Sequence, residues 1–572
     1  MNAREMAIQQ DSNSDAAVGF ESWFGGHSDL AAVFVVLVGF LARLWAASGI
    51  FLNPDEALHF RLANQVSLRL AYGQSATAAH PPLLILFLYY WRALGTSDLW
   101  LRLPSVMAGT IFCWVFFKWL AQVTDRLTGF IGLFFVSFLL PIVMLAAEVR
   151  QYALLLAFAV SALYFLDRAF AWSSAGMMVA STICLYLAML THYSAFLFAA
   201  ALGIYALFWI FMRRMPMKVV VTWAVGQLGA LALAAFLYKT HLSQIGAGES
   251  RTVLEGWMTY IRRSYFDRTH DNLLLFLVGH TFGVFQYLFG QLAVGDVVGL
   301  LFLVGVFLLL REKSSTSRRL SLFLLLSFAI VGGASMVHVY PYGGTRHSAF
   351  LIIPGIAGVS VAVVRLASGR WTRALAIAGV IVMLCLVFGK LRQPRMERAD
   401  QSRKRMAAAL EFVQQNVAPS APIFVDYQTD LVLGHYLCQQ RPIPLQIRST
   451  GFEEFFCGGR HVASTGYPTW TFSSENFPSD WKRAVQSLGL KPGDTVWVFQ
   501  TGWGIDLPEQ LQKNFAEFRN LHYESFGKNI KTFRLTVGQP MPSVETPSAR
   551  TSSRTSARTI ERAAHSAPTP GS

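Results

Sequence analysis

Charge is scarce in this sequence: Asp, Glu, Lys and Arg make up 14% of 572 residues, against 53% hydrophobic residues. Soluble domains carry about a quarter charged residues, so a wholly water-exposed globular fold is excluded. Cysteine is scarce too. The five present show no zinc spacing, and Cys113, Cys184 and Cys385 fall within apolar runs, where cysteine serves as a small hydrophobe. The apolar run that starts near Leu30 has no basic stretch before it and no small-residue cleavage site after it, so it is expected to stay as a first membrane span. Lys and Arg exceed Asp and Glu by 48 to 33, giving a net charge of +15. These cations are scattered over short loops and a tail rather than gathered on one face, which argues against nucleic-acid binding.

What the sequence has in abundance is apolar runs of membrane-crossing length, which takes about 20 helical residues. They predict about eleven spans, near 30–50, 102–122, 129–146, 151–168, 176–190, 193–211, 219–238, 294–310, 320–338, 347–366 and 373–390. The apolar segment 272–292 holds His280, Gln286 and Gln291 and is read as interfacial or re-entrant. One set of loops carries Arg126, Arg168, Arg213, Arg214, Lys218, Arg311, Lys313, Arg318, Arg319, Arg365, Arg370 and Arg373. The positive-inside rule makes that set cytoplasmic. Residues 51–101, the turn at 147–151, Thr191–His192, the loop 239–271 and Val339–Arg346 then face the other side.

The chain accordingly divides into a cytoplasmic leader (1–28), a mainly α transmembrane helix bundle (29–392), a small exported α/β domain (400–537) and a disordered tail (538–572). The α/β domain is signalled by helical periodicity at Arg403–Asn416 and Asp430–Leu437 and by strand-like runs at Ile423–Val425 and Thr495–Phe499. The tail is rich in Ser, Thr, Pro and Arg and has too few large apolar residues to pack. Cys438 and Cys457 share the exported domain, so a disulfide between them is compatible with an oxidising compartment.

Candidate chemistry lies on the non-cytoplasmic loops. Asn53-Pro-Asp-Glu56 follows the first span; Asn53 and Glu56 have the spacing of a helix capping box, whereas Asp55 has no required part in capping. His80-Pro-Pro-Leu83 and Leu101-Arg-Leu-Pro-Ser105 follow, the latter with Arg102 at the start of the second span. The turn Glu148-Val-Arg-Gln-Tyr152 puts Glu148 and Arg150 at the membrane edge, where ionisable groups must pair with each other or hold an anionic headgroup. His192, Arg346 and His347 map to the same side; snorkelling or interfacial packing accounts for each singly. Together, a carboxylate opposite several cations could serve as a base facing an anionic leaving group.

In these pieces, taken in order over roughly residues 30–210, the sequence resembles the GT-C superfamily of membrane glycosyltransferases. The likeness is to the branch with the dolichyl-phosphate-mannose protein mannosyltransferases and the lipid A aminoarabinose transferase. It departs at Gln151, where the family commonly has Pro, and at His347, where it has Tyr. The resemblance implies a multi-pass plasma or bacterial inner membrane enzyme that moves a sugar, with inversion, from a polyprenyl phosphate to a lipid, glycan or protein acceptor. It implies Asp55 as general base, with Glu56 beside it. Arg150, helped by Arg102 or Arg346, would neutralise the lipid phosphate, and His80, Glu148, Tyr152, His192 and His347 would complete the substrate site. No metal cage is evident, although some superfamily members use a divalent cation. The rival reading is a lipid or sugar transporter or flippase, against which stand the absence of an internal repeat and the crowding of charge at one surface.

Overall fold

The structure, a computed structural model, describes residues 3–76, 80–213, 215–245, 261–388, 401–438, 452–466, 469–503 and 506–538. The middle of the long loop, 246–260, and the tail from 539 onward lie outside the described residues.

Helix α1 (Ala3–Ala47) opens the chain, with non-helical dihedrals at His27 (φ −116°, ψ 19°). Three short helices fill the first long loop: α2 (Pro54–Ala63), α3 (Leu68–Ser75) and α4 (Leu83–Trp91). The bundle continues through α5 (Asp98–Val123), α6 (Arg126–Phe138), α7 (Leu140–Leu145), α8 (Tyr152–Ala171), α9 (Ala175–Thr191), α10 (Ser194–Met212) and α11 (Met217–Leu237). Its later part comprises α12 (Leu273–Phe289), α13 (Leu292–Arg311), α14 (Ser315–Met336), a 3-10 turn at Arg346–Leu351 leading into α15 (Ile352–Leu366), and α16 (Trp371–Phe388).

Among the described residues, nine helical segments are long and apolar enough to cross a membrane, and the chain is a multi-pass membrane protein. The two remaining expected spans are shorter. The run near 176–190 is the 17-residue α9, and the run near 129–146 is split into α6 and α7. The split has a local cause: Pro141 has no N–H, so the helix ladder loses a donor and nearby carbonyls are released. Arg43 of α1, fully buried, takes up two of them, donating to the Val136 carbonyl at 2.6 Å and to that of Ser137 at 3.3 Å. A buried cation at this depth is tolerated because the broken helix supplies its acceptors.

The apolar helix α12 has 17 residues and packs along α13. Elsewhere small residues set the spacing: a Cβ on Gly305 of α13 would come within 2.1 Å of the Gly358 carbonyl oxygen of α15, so only glycine permits that approach. The outer faces remain apolar and uncovered, as at Phe34, Leu231 and Phe307, and only 17% of the apolar window of the segment Met217–Leu242 is buried. Lipid solvates such faces without cost.

The C-terminal domain begins with α17 (Arg403–Asn416), β1 (Ile423–Val425) and α18 (Tyr427–Leu437), then β2 (Glu453–Cys457), β3 (Arg460–Ser464) and α19 (Phe477–Ser487). It ends with β4 (Thr495–Thr501), α20 (Leu507–Asn514), β5 (Tyr523–Gly527) and β6 (Ile530–Thr536). The six strands form one sheet in the order β2-β3-β1-β4-β6-β5, with β3, β1 and β4 parallel and the outer pairs antiparallel. One core is aromatic, with Phe424, Phe472, Phe477 and Trp481 packed together. Cys438 is disulfide-bonded, whereas Cys113, Cys184 and Cys385 are free.

This domain is docked on the first long loop rather than tethered at a distance. The Phe51 N–H donates to the Gln401 carbonyl at 2.8 Å, and the Leu52 N–H donates to the Tyr436 hydroxyl at 2.8 Å. Arg61 of α2 pairs with Asp430 of α18 at 2.9 Å, both buried, and reaches Glu453 at 3.6 Å. Helix α2 is thus gripped from above by α18.

Candidate active site

Helix α2 begins where the local sequence requires. The Asn53 side chain accepts from the Glu56 N–H at 3.0 Å, the Glu56 carboxylate accepts from the Asn53 N–H at 3.0 Å, and Pro54 occupies the first turn. The expected capping box is therefore present, but Glu56 does more than cap. Arg102 donates to it through Nε at 2.7 Å and through Nη2 at 2.6 Å, and the Val149 N–H adds a bond at 2.8 Å. Arg102 also donates to the carbonyls of Ala47, Ile50 and Phe51 at 2.9–3.0 Å. All five of its N–H donors are therefore occupied inside the protein, at a side chain that is fully buried. Arg102, expected as a phosphate partner, has no donor left to offer one. Glu56 and Arg102 instead form a knot that ties the start of α2 to α1, α5 and the turn before α8.

Asp55, the neighbour of Glu56, points elsewhere. Its Oδ2 receives both the Arg150 guanidinium and the Arg346 guanidinium, the latter at 2.9 Å, and its side chain keeps 15% of its surface open. Three segments far apart in sequence meet here: the start of α2, the turn before α8, and the 3-10 turn before α15. Burial alone would raise the Asp55 pKa, but the two guanidiniums outweigh it and hold the carboxyl down at about 2. Glu148 lies in the same electrostatic field with the opposite outcome. Burial and the nearby Glu56 charge push its carboxyl up, despite Arg150 and Arg346. No described residue hydrogen-bonds the Glu148 side chain.

On the other flank of Arg150 the rings converge. His80 stacks between His59 and His192, with centroid separations of 5.9 and 5.1 Å, and Tyr152 lies 5.3 Å from His192. His347 is near enough to disfavour protonation of His192. Burial depresses all three stacked rings, helped by Arg150 and Arg346 against Asp55 at His59, by His347 and Arg150 at His192, and by the other imidazoles and Arg150 at His80: His59 falls to about 4, His192 to about 3, and His80 in the same direction. They are neutral at physiological pH. The sequence reading passed over His59, although its place one helical turn after Asp55 was a usable signal. Its Nδ1 lies 2.6 Å from the Asp55 carbonyl oxygen. Thus Asp55, Arg150 and Arg346 come together, as do His80, Tyr152 and His192 with His347 nearby. Among the described residues no group of three or more His, Cys, Asp or Glu is arranged to hold a metal ion.

No family model matches the sequence, and no curated protein sequence does. Solved structures do match in shape. ArnT from Cupriavidus metallidurans in the apo state is 11% identical, with a TM-score of 0.52 over 90% of this chain and 100% of that one. The same protein bound to undecaprenyl phosphate is 12% identical at a TM-score of 0.48, covering 89% and 99%. The Archaeoglobus fulgidus oligosaccharyltransferase tethered with an acceptor peptide is 11% identical at 0.48, covering 84% and 70%. The near-complete mutual coverage with apo ArnT spans both the helix bundle and the C-terminal domain, so the chain shares the overall fold of that protein.

Proposed function

We propose that this chain is a membrane glycosyltransferase that moves a sugar, with inversion, from a polyprenyl phosphate to a lipid, glycan or protein acceptor on the non-cytoplasmic side. The observation that carries this reading is the junction of Asp55 with Arg150 and Arg346: a carboxylate and two converging guanidiniums at one end of a lipid-embedded bundle. Two guanidiniums suit phosphate oxygens, which offer more acceptors than one carboxylate oxygen does. In our reading the donor phosphate draws Arg150 and Arg346 away from Asp55. The carboxylate, freed of both cations, becomes a stronger base. It takes the acceptor hydroxyl proton as that oxygen bonds to the anomeric carbon and the bond from that carbon to the phosphate oxygen breaks. The electron pair leaves on the lipid phosphate, where the two guanidiniums neutralise it. Glu56 and Arg102 act as positioning residues that fix the start of α2 beneath Asp55.

Arg150→Lys keeps the charge and loses the planar fork, so affinity of the purified protein for undecaprenyl phosphate should fall by about tenfold. Unchanged affinity would count against Arg150 as the phosphate ligand. Sidedness is tested separately. Cysteine at Thr345→Cys should react with a membrane-impermeant maleimide in intact cells, and cysteine at Thr316→Cys should not. The reverse pattern would place the site on the cytoplasmic face and remove the proposed acceptor side.

A further inference from the structure

The buried polar atoms beside Arg150 are unusual in remaining unpaired. Among the described residues, the buried His59 Nε2, His80 Nδ1, His192 Nε2 and Tyr152 hydroxyl have no hydrogen-bond partner. Native interiors pair nearly all such atoms, and one left unpaired is destabilising. Several in adjoining side chains mark a surface shaped for a polar guest.

Their hydrogen-bonding character can be assigned. The Ser194 N–H donates to His192 Nδ1 at 3.1 Å, so the neutral ring carries its proton on Nε2, which is a donor. His59 Nδ1 faces the Asp55 carbonyl oxygen at 2.6 Å, and that oxygen can only accept, so Nδ1 holds the proton and Nε2 is an acceptor. The Tyr152 hydroxyl can serve as either. Donors and acceptors are thus interspersed. A hydroxyl group both donates and accepts and suits such a surface; an ammonium only donates, and a carboxylate only accepts. The electrostatics agree, because the rings are neutral and the standing charge that acts on both His80 and His192 is that of Arg150. A cationic guest would meet that guanidinium's repulsion, and a carboxylate would meet the His59 lone pair.

We propose that the surface formed by His59, His80, Tyr152 and His192 holds the donor sugar and selects a neutral, hydroxyl-rich ring over amino sugars and uronic acids. This rests on the reading of Arg150 and Arg346 as the phosphate site, and it deepens that reading by naming the class of sugar beside it.

The test measures binding to the purified full chain in lipid nanodiscs. The four probes are undecaprenyl phosphate alone and the same lipid phosphate carrying a neutral hexose, an amino sugar or a uronic acid. Two or three neutral hydrogen bonds predict that the hexose lipid binds at least about tenfold more tightly than the bare lipid, with less than about threefold gain for the charged sugars. An equal or larger gain for the amino sugar or the uronic acid would overturn the inference while leaving the phosphate site intact. Failure of bare undecaprenyl phosphate to bind would instead overturn the phosphate reading, and this inference with it. The comparison uses the native chain and so does not depend on a variant's folding. His192→Leu supplies a second arm: the hexose gain should shrink to less than about threefold, and an undiminished gain would remove His192 from the sugar surface.

Discussion

Asp55→Asn should lower sugar transfer by about a hundredfold or more while leaving the protein folded. Asparagine keeps the size and polarity of the side chain at the start of α2 and still offers a carbonyl oxygen to Arg150 and Arg346, but it cannot take a proton. If Asp55 served only to support a helix terminus, asparagine would be nearly as good, and stability would shift by no more than about 1 kcal/mol with little change in rate. Transfer rate and thermal unfolding, measured on the same preparation, separate the two explanations. Near-normal transfer would move the base to Glu148, whose side chain has no hydrogen-bond partner among the described residues and is pushed by burial toward the protonated form. Glu148→Gln would then be the variant that loses activity.

Glu56→Gln should do the opposite, damaging the fold rather than the chemistry alone. Its carboxylate neutralises Arg102 at a site where both side chains are 1% exposed or less. Removing one partner of a buried ion pair typically costs about 3–5 kcal/mol, because the remaining charge is left without compensation. A loss of that size is a large fraction of the about 5–15 kcal/mol that stabilises a typical domain. The variant is expected to accumulate poorly or to unfold at a much lower temperature in a detergent-stability assay. A well-folded Glu56→Gln protein that lacks only transfer would show that Glu56 takes part in the reaction.

These two adjacent carboxylates show where the sequence was informative and where it was not. The capping box at Asn53 and Glu56 is local chemistry and could be read from four residues; the structure contains both of its reciprocal bonds. The partner of Glu56 could not be read, because Arg102 arrives from a different helix and no local rule says which of several loop arginines will be buried. Arg102 and Arg346 looked alike in sequence, yet one is saturated by Glu56 and three carbonyls and the other reaches Asp55. Membrane spans were legible from apolar length, except at the 17-residue helix α9 and where Pro141 divides another and Arg43 donates to the released carbonyls. In the C-terminal domain the helix at Arg403–Asn416 and the strand at Ile423–Val425 match the residues that periodicity suggested. Its docking onto α2 through Arg61 and Asp430 depends on tertiary pairing and left no trace in the sequence pattern. The same limit concealed the stacked histidines, which come from three separate segments.

The central claim is that this protein transfers sugar from a polyprenyl phosphate, using the Asp55 and arginine junction. The most direct measurement incubates the purified full chain and its Asp55→Asn variant, in membranes containing native acceptors, with undecaprenyl phosphate carrying a radiolabelled neutral hexose. Label leaving the lipid phosphate for an acceptor with the native chain, and about a hundredfold more slowly with the variant, is the predicted result. Label that crosses the bilayer still attached to its lipid phosphate, equally with both proteins, would identify a transporter and contradict the account.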